Sequence, residues 1–120
     1  MILADTSVWI DHLRMPNARM ALLLDETQVL GHAFVIGELA LGSLRPHHPT
    51  IIAMQNMPQA IRAADDEVMT FIRLHSLSGL GFGWIDAHLL VSTALTEDAI
   101  LWTRDRHLHE TAVRLGLAAA

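Results

Sequence analysis

The chain has 120 residues, which predicts one compact domain over residues 1–120. Although 52% of the residues are apolar, no apolar run reaches the roughly 18 residues of a membrane span, and the N-terminus has no signal-peptide pattern. Cysteine is absent, which excludes disulfides and thiolate metal ligands and fits a cytoplasmic location. The net charge of −5, with no lysine, argues against non-specific nucleic-acid binding, although a local arginine cluster could still contact phosphate.

The apolar fraction also bears on assembly. A chain this short has a limited interior in which to bury apolar side chains, so we expect a second copy or a bound partner to cover some of them. We therefore predict a homodimer.

The N-terminus predicts a buried strand that ends in polar side chains. Ile2 to Ala4 is a short apolar run of the kind buried on both faces of a parallel sheet. Asp5, Thr6 and Ser7 follow at the carboxyl edge of that sheet, where open α/β sheets bind ligands. A helix N-cap explains Asp5 equally well, because Asp accepts hydrogen bonds from first-turn amides. Other carboxylates arriving at this edge would favour a site.

Two helices and a second strand are predicted next. Val8 to Leu13 continues as a short helix, Pro16 interrupts it, and Asn17 caps the helix that follows. Gln28 to Gly31 has an apolar centre and indicates a second buried strand.

The segment Phe34 to Gly42 predicts a helix, with Ser43 completing its stop signal. Within it Glu38 shares a face with apolar residues one turn away on either side. A carboxylate buried on such a face needs a partner, because an unpaired charge out of water costs several kcal/mol. Arg45 or Arg62 could supply a buried salt bridge, and a metal ion is the alternative.

The middle of the chain predicts secondary structure but no catalytic or binding residues. Pro46 to Pro58 indicates a loop around a modest helix, and Gln59 to Ala63 a short edge strand. Asp65, Asp66 and Glu67 begin a helix that runs to about His75, and we interpret them as a solvated helix N-terminus. The glycines of residues 78–83 lack the spacing of a dinucleotide or P-loop motif and indicate a flexible loop.

The C-terminal third predicts a buried helix, a strand and a final helix. Trp84 to Leu95 is apolar nearly all round, so it should be central, with Asp86 in its first turn. Ala99 to Trp102 indicates a third buried strand, ended by Thr103, Arg104 and Asp105. The last helix spans Arg106 to Leu115 and stops at Gly116.

The histidines and tryptophans are assigned no chemistry. Two histidine pairs lie in polar stretches, where solvated or capping roles are expected; they are His47 with His48 and His107 with His109. His88 follows Asp86 by two residues and so points away from it on a helix. Core positions, rather than base-stacking ones, are predicted for the three tryptophans Trp9, Trp84 and Trp102.

Four carboxylates thus come from segments that can meet. Asp5 and Asp105 end two strands, and neighbouring parallel strands open on the same edge, while Glu38 and Asp86 lie on helices. Gathered without a cation, the four would repel one another. Mg²⁺ or Mn²⁺ relieves that repulsion, because hard cations prefer oxygen ligands. Such a site supports in-line displacement at phosphorus.

Four segments resemble the motifs of PIN-domain ribonucleases, specifically the VapC-type toxins of bacterial and archaeal toxin–antitoxin pairs. They are Asp5 to Ile10 (DTSVWI), Phe34 to Leu39 (FVIGEL), Trp84 to Leu90 (WIDAHLL) and Leu101 to Asp105 (LWTRD). Each is a weak motif alone. All four in this order, in a chain of this length, form a specific signal over essentially the whole sequence.

The resemblance implies a three-layer α/β/α fold around a central parallel sheet, with the four acids forming the Mg²⁺ or Mn²⁺ site. Asp5 and Asp86 match the family's firmest metal ligands, and Glu38 matches the third. Asp105 matches the most variable ligand, which often acts through water. Thr103 matches a hydroxyl residue that helps to hold the site.

Supporting roles are also predicted around this site. Thr6 and Ser7 stand beside Asp5 as further support, and Arg104 and Arg106 are predicted RNA phosphate contacts. The resemblance implies a metal-dependent endoribonuclease that hydrolyses RNA phosphodiester bonds. It also implies a cognate VapB-like antitoxin that inserts a C-terminal segment into the toxin's groove.

Two rival functions are considered. A catalytically inactive PIN-like module that binds RNA or protein would gain nothing from keeping a repelling acidic cluster. A DNA enzyme like the larger flap nucleases would need an additional helical arch, and this chain is too short to hold one.

Overall fold

The computed structural model describes residues 1–42 and 44–120, so the predicted stop at Ser43 lies outside the described residues. Within that part the strands are β1 (Ile2–Ala4), β2 (Val29–Leu30) and β3 (Ile100–Trp102). The helices are α1 (Thr6–Arg14), α2 (Ala18–Asp25), α3 (Ala33–Leu41), α4 (Pro49–Asn56), α5 (Asp65–Leu74), α6 (Trp84–Leu95) and α7 (Arg106–Arg114). None of these helices is both long and apolar enough to cross a bilayer.

The three strands form a parallel sheet in the order β2-β1-β3. Ile2 lies opposite Val29 on one side and Ile100 on the other. All of β1 is buried, as expected of a central strand with both faces covered. These observations confirm the predicted α/β fold around a central parallel sheet. Because β1 and β3 point the same way, the residues that follow them meet at one edge.

Helix α6 lies in the core, and every residue from Ala87 to Thr93 is buried. Two polar side chains in this stretch have hydrogen-bond partners: the Thr93 hydroxyl donates to the Leu89 carbonyl at 2.8 Å, and Ser92 Oγ lies 3.0 Å from His32 Nε2. Nδ1 of His88, also buried, has no partner among the described residues. The prediction of a central, buried helix is confirmed, and this helix carries Asp86 at its N-terminal end.

Side-chain caps define several helix starts. Asn17 accepts a hydrogen bond from the Met20 amide at 2.9 Å, and His48 accepts one from the Thr50 amide at 3.1 Å. The predicted cap at Asn17 and the capping role of His48 are confirmed. At the other end of the chain, Gly116 has a φ of +72° just after α7, the left-handed conformation that ends many helices.

The predicted edge strand over Gln59 to Ala63 was wrong. The structure has only an isolated parallel bridge between Gly31 and Gln59 in this stretch. The Gln59 side-chain amide donates to the carbonyls of Met54 and Met57, both at 2.9 Å, and folds the chain back on α4. The next amide available for a strand ladder, that of Ile61, donates to the Thr96 hydroxyl instead.

The core prediction failed for one of the three tryptophans. Trp9 is buried and Trp102 partly buried, whereas Trp84 is 42% exposed. Trp84 is the first residue of α6, so no preceding helical turn covers its ring.

Candidate active site

Asp5 lies at the centre of the carboxyl edge and is only 4% exposed. Its Oδ1 accepts hydrogen bonds from the Val8 amide at 3.2 Å and from the Ser7 hydroxyl, and its Oδ2 accepts one from the Thr103 hydroxyl. The buried carboxylate is therefore well satisfied. Asp5 is both the N-cap of α1 and a member of the carboxylate group described below, so the two interpretations left open for it are compatible.

Two hydroxyl side chains connect the ends of β1 and β3. Thr103 donates to Asp5 and accepts from the Asp105 amide at 3.0 Å. Ser7 also donates to Asp5 and accepts from the Arg104 amide at 3.1 Å. Each hydroxyl thereby fixes the Asp5 carboxylate relative to the turn that carries Asp105.

Asp105 is half-buried and caps α7, with Oδ1 accepting from the Leu108 amide at 2.8 Å. Asp105 is thus the N-cap of the helix after β3, as Asp5 is of the helix after β1, but it lies three residues beyond its strand whereas Asp5 follows β1 directly. Because the two strands are parallel, both helix starts lie at the same edge of the sheet.

Glu38 was predicted on a buried face, and this was wrong. Its side chain is exposed, and so is Leu41, because this face of α3 is not packed against the sheet. Glu38 Oε1 accepts a hydrogen bond from the Thr6 hydroxyl at 2.7 Å. No ion pair among residues 1–42 and 44–120 includes Glu38, and the Arg62 guanidinium instead lies 4.6 Å from the centre of the Phe34 ring. In the described part of the chain, neither proposed arginine neutralises this carboxylate.

Asp86 is the carboxylate whose pKa is affected by the other three acids. Burial raises its pKa above the ordinary 3.8, and the charges of Asp5, Asp105 and Glu38 raise it further. A hydrogen bond from the Gly83 amide to Oδ2, 3.2 Å long, partly opposes this rise. Like charges have this effect only when they are close in space. Asp86 therefore lies within electrostatic range of the other three acids.

The four carboxylates are near one another but do not form a tight cluster. In the described part of the chain, no three His, Asp or Glu side chains are arranged tightly enough to hold a metal ion as they stand. The donor set itself consists of carboxylate and hydroxyl oxygens, which are the ligands preferred by Mg²⁺ and Mn²⁺.

The two predicted RNA-contacting arginines lie beside the site on the surface. Arg104 makes an ion pair with Asp11 at 3.2 Å, with about half of each side chain exposed. Arg106 lies 3.8 Å from Glu110 one turn along α7, also exposed. Exposed pairs of this kind are weak, so both guanidinium groups can exchange their partners for an anion.

A buried histidine between α3 and α6, His32, was not predicted from the sequence. His32 Nδ1 accepts from the Phe34 amide at 3.0 Å and so caps α3, which leaves the proton on Nε2 to be donated to Ser92. Burial, together with the charges of His88 and Arg62, lowers the pKa of His32 from 6.5 to about 4. Its place directly before a predicted helix, at the N-cap, was the available signal.

His88 is a second buried histidine, and it points away from Asp86 as predicted. It is 1% exposed, and its Nε2 lies 3.1 Å from Asp65 Oδ1 at the exposed start of α5. Its ring also packs edge-on against Phe34 and Trp84. These contacts give His88 a structural role between α3, α5 and α6.

Comparison with known proteins finds relatives over the full length of the chain. The chain is 42% identical over 120 residues to ribonuclease VapC32 of Mycobacterium tuberculosis, from strain CDC 1551 / Oshkosh and equally from strain H37Rv. The alignment covers 100% of this chain and 97% of each relative. No family model matches the chain. Such identity across both full lengths, together with the parallel sheet and the convergent acids, shows that the chain belongs to the VapC family of PIN-domain ribonucleases.

Proposed function

We propose that this chain is a Mg²⁺- or Mn²⁺-dependent endoribonuclease, the toxin of a type II toxin–antitoxin system. The observation that carries the proposal is the hydrogen-bonded linkage of the acids at the carboxyl edge of the sheet. The Thr103 hydroxyl bonds Asp5 and the Asp105 amide, and the Thr6 hydroxyl, next to Asp5, bonds Glu38. The M. tuberculosis relatives are named ribonucleases, which supports RNA as the substrate class.

The donor set fits a hard divalent cation. Asp5, Glu38, Asp86 and Asp105 would hold it, because the gathered carboxylates lack a positively charged side chain between them in the described ion pairs. When bound, such a cation supplies stabilisation of the charge that develops on phosphate oxygens during an in-line displacement by water.

The chain's own residues prepare this arrangement. Thr103 and Ser7 hold the Asp5 carboxylate in one orientation, and Thr6 holds Glu38. The Gly83 amide donates a hydrogen bond to Oδ2 of Asp86 and so holds this carboxylate in one orientation. Oriented ligands of this kind reduce the cost of ordering a site when substrate and cation bind.

Removal of divalent cations should abolish cleavage. The purified chain is incubated with a panel of single-stranded and looped RNAs in EDTA, Mg²⁺ or Mn²⁺, and products are separated on denaturing gels. We expect cleavage only with a divalent cation, because no ion pair within residues 1–42 and 44–120 includes any of the four acids. Equal cleavage in EDTA would exclude the metal mechanism.

We further propose that Arg104 and Arg106 contact RNA phosphates. They flank Asp105, and their guanidinium groups are exposed and weakly paired. Arg is well suited to this role because its planar fork matches phosphate oxygens.

The proposed partners are a cognate VapB-like antitoxin and a second copy of the chain. Several large apolar side chains are exposed, including Met15, Leu22 and Leu74, and an interface would cover part of this surface. Light scattering across micromolar concentrations should give the mass of a dimer of the 13.3 kDa chain. A monomeric mass throughout that range would exclude the homodimer.

A further inference from the structure

A cavity of about 330 Å³ lies at the N-terminal end of α6. Its walls include the rings of Phe82 and Trp84, the apolar side chains of Ile72 and Leu77, and the backbone of Gly83. Its volume is within the range of sites that accept small organic groups, and its lining is aromatic and apolar as such sites are.

Trp84 presents a rigid aromatic surface in this cavity. Its ring is 42% exposed and meets the buried His88 ring edge-on, with centroids 4.7 Å apart and planes at 82°. His88 is held in turn by Phe34, 4.9 Å away, and by Asp65. The indole is therefore supported on one side and open on another, which suits it to stack on a flat ligand.

The cavity adjoins the N-terminal end of α6, which carries Asp86. Gly83 forms part of the cavity wall, and its amide donates to Asp86 Oδ2 at 3.2 Å. The loop that precedes Gly83 lies against α7. Gly81, in this loop, has a φ of +90°, and a Cβ atom at Gly81 would lie 3.2 Å from the His107 ring. The loop thus packs beside both helix starts that carry site acids.

We propose that this cavity is a nucleobase subsite, in which a base of single-stranded RNA next to the scissile phosphate stacks on Trp84. The inference rests on the proposed ribonuclease function and adds the group that positions its substrate. A nucleobase is a flat aromatic group attached to the chain that the acids would cleave, so cavity and site can engage one strand together. Stacking of this kind tolerates different bases, because every base has a π face.

The subsite is tested by binding in an Asp86→Asn background, which prevents metal-dependent turnover. The probes are decaadenylate and a decamer of abasic ribose phosphate with the same charge, both labelled for anisotropy. Trp84→Ala should weaken decaadenylate binding on the order of 10-fold, the loss expected for one base–aromatic stack. Trp84→Phe should keep most of the affinity, and abasic binding should be unchanged. Leu95→Ala, which truncates an apolar side chain of similar exposure (39% against 42% for Trp84) at the other end of α6, is the matched control and should change neither.

Tryptophan fluorescence provides a readout that does not depend on activity. The chain has three tryptophans, and decaadenylate should quench the emission of the Trp84-containing protein much more than that of Trp84→Phe. Three results would each overturn the subsite. They are equal quenching of the two proteins, an equal loss of affinity for both probes in Trp84→Ala, and no binding of decaadenylate to the Asp86→Asn protein.

Kinetics of the Trp84 variants in the otherwise unchanged chain complete the test. Trp84→Ala should raise KM with little change in kcat, because a stack made before and during the reaction contributes uniform binding. A fall in kcat at constant KM would overturn the subsite. Failure of the proposed metal-dependent function would instead appear as cleavage by the unchanged chain in EDTA, whatever the kinetic effect of the Trp84 substitutions.

Discussion

Replacement of Asp86 by Asn should reduce RNA cleavage by at least about 100-fold, a typical loss when one charge-stabilising group is removed from a reaction centre. The same change should make the metal-free protein more stable at neutral pH. Burial and three neighbouring carboxylates disfavour the ionised form of Asp86 and raise its pKa. Asn keeps the side chain's size and can accept the Gly83 hydrogen bond, but it carries no charge.

The pH dependence of this effect has a definite sign. The folded protein holds the Asp86 proton more tightly than the unfolded chain, whose carboxyl has a pKa of 3.8. The free energy of unfolding therefore falls as pH rises from about 3.8 through the raised, folded-state pKa, and stays lower above it. Thermal melts in EDTA from pH 4 to pH 8 should show the difference between Asp86→Asn and the unchanged chain widening with pH. A constant difference would contradict the charge-repulsion account.

Asp5→Asn provides the matched contrast. It should also lose cleavage, but it should gain no stability, because three donors converge on the two Asp5 oxygens and Asn offers only one acceptor. A loss of about 1 kcal/mol is expected. Both variants should show a smaller rise in Tm with millimolar Mg²⁺, since a ligand stabilises only in proportion to its binding to the native state. A variant that keeps full cleavage and the full Mg²⁺ response would remove its residue from the site.

Acidification from pH 6.5 to pH 4 should destabilise the fold through His32. Its pKa is about 4 in the folded protein against 6.5 for the ordinary side chain, so the unfolded chain takes up the proton first. The stabilising contribution is complete above pH 6.5 and is lost as pH falls toward 4. The difference in pKa corresponds to about 3 kcal/mol of unfolding free energy. Protonation of Nδ1 would also remove the acceptor that caps α3.

His32→Asn separates this effect from the other titrations. Asn caps helices well and does not titrate, so it should flatten the pH dependence between 6.5 and 4. It should cost about 1 kcal/mol at pH 7, because the hydrogen bond to Ser92 is lost. Denaturant titrations are made in the Asp86→Asn background, where the opposite dependence of Asp86 is absent. An unchanged loss of stability on acidification in His32→Asn would exclude His32 as its source.

Several parts of the fold and site followed from local sequence patterns. The strands at Ile2 to Ala4 and near Leu101 were identified because short apolar runs bounded by polar residues are buried on both faces of a parallel sheet. Their parallel direction then required Asp5 and Asp105 to meet at one edge. The caps at Asn17 and His48 depend on hydrogen bonds within a few residues, which sequence can specify directly.

Which helical faces are covered depends on how the elements pack. Helical periodicity placed Glu38 among apolar neighbours, but it does not reveal whether another element packs there, and this face of α3 is exposed. For the same reason Trp84 was assigned to the core, whereas its ring is open to the cavity. The environment of His32 likewise depends on Ser92, 60 residues away in the chain. The residues that can meet at the sheet edge were predictable from the amino-acid order alone, because short apolar runs and local hydrogen bonds involve neighbours in the chain. Burial and charge coupling arise between distant segments, and only their packing sets them.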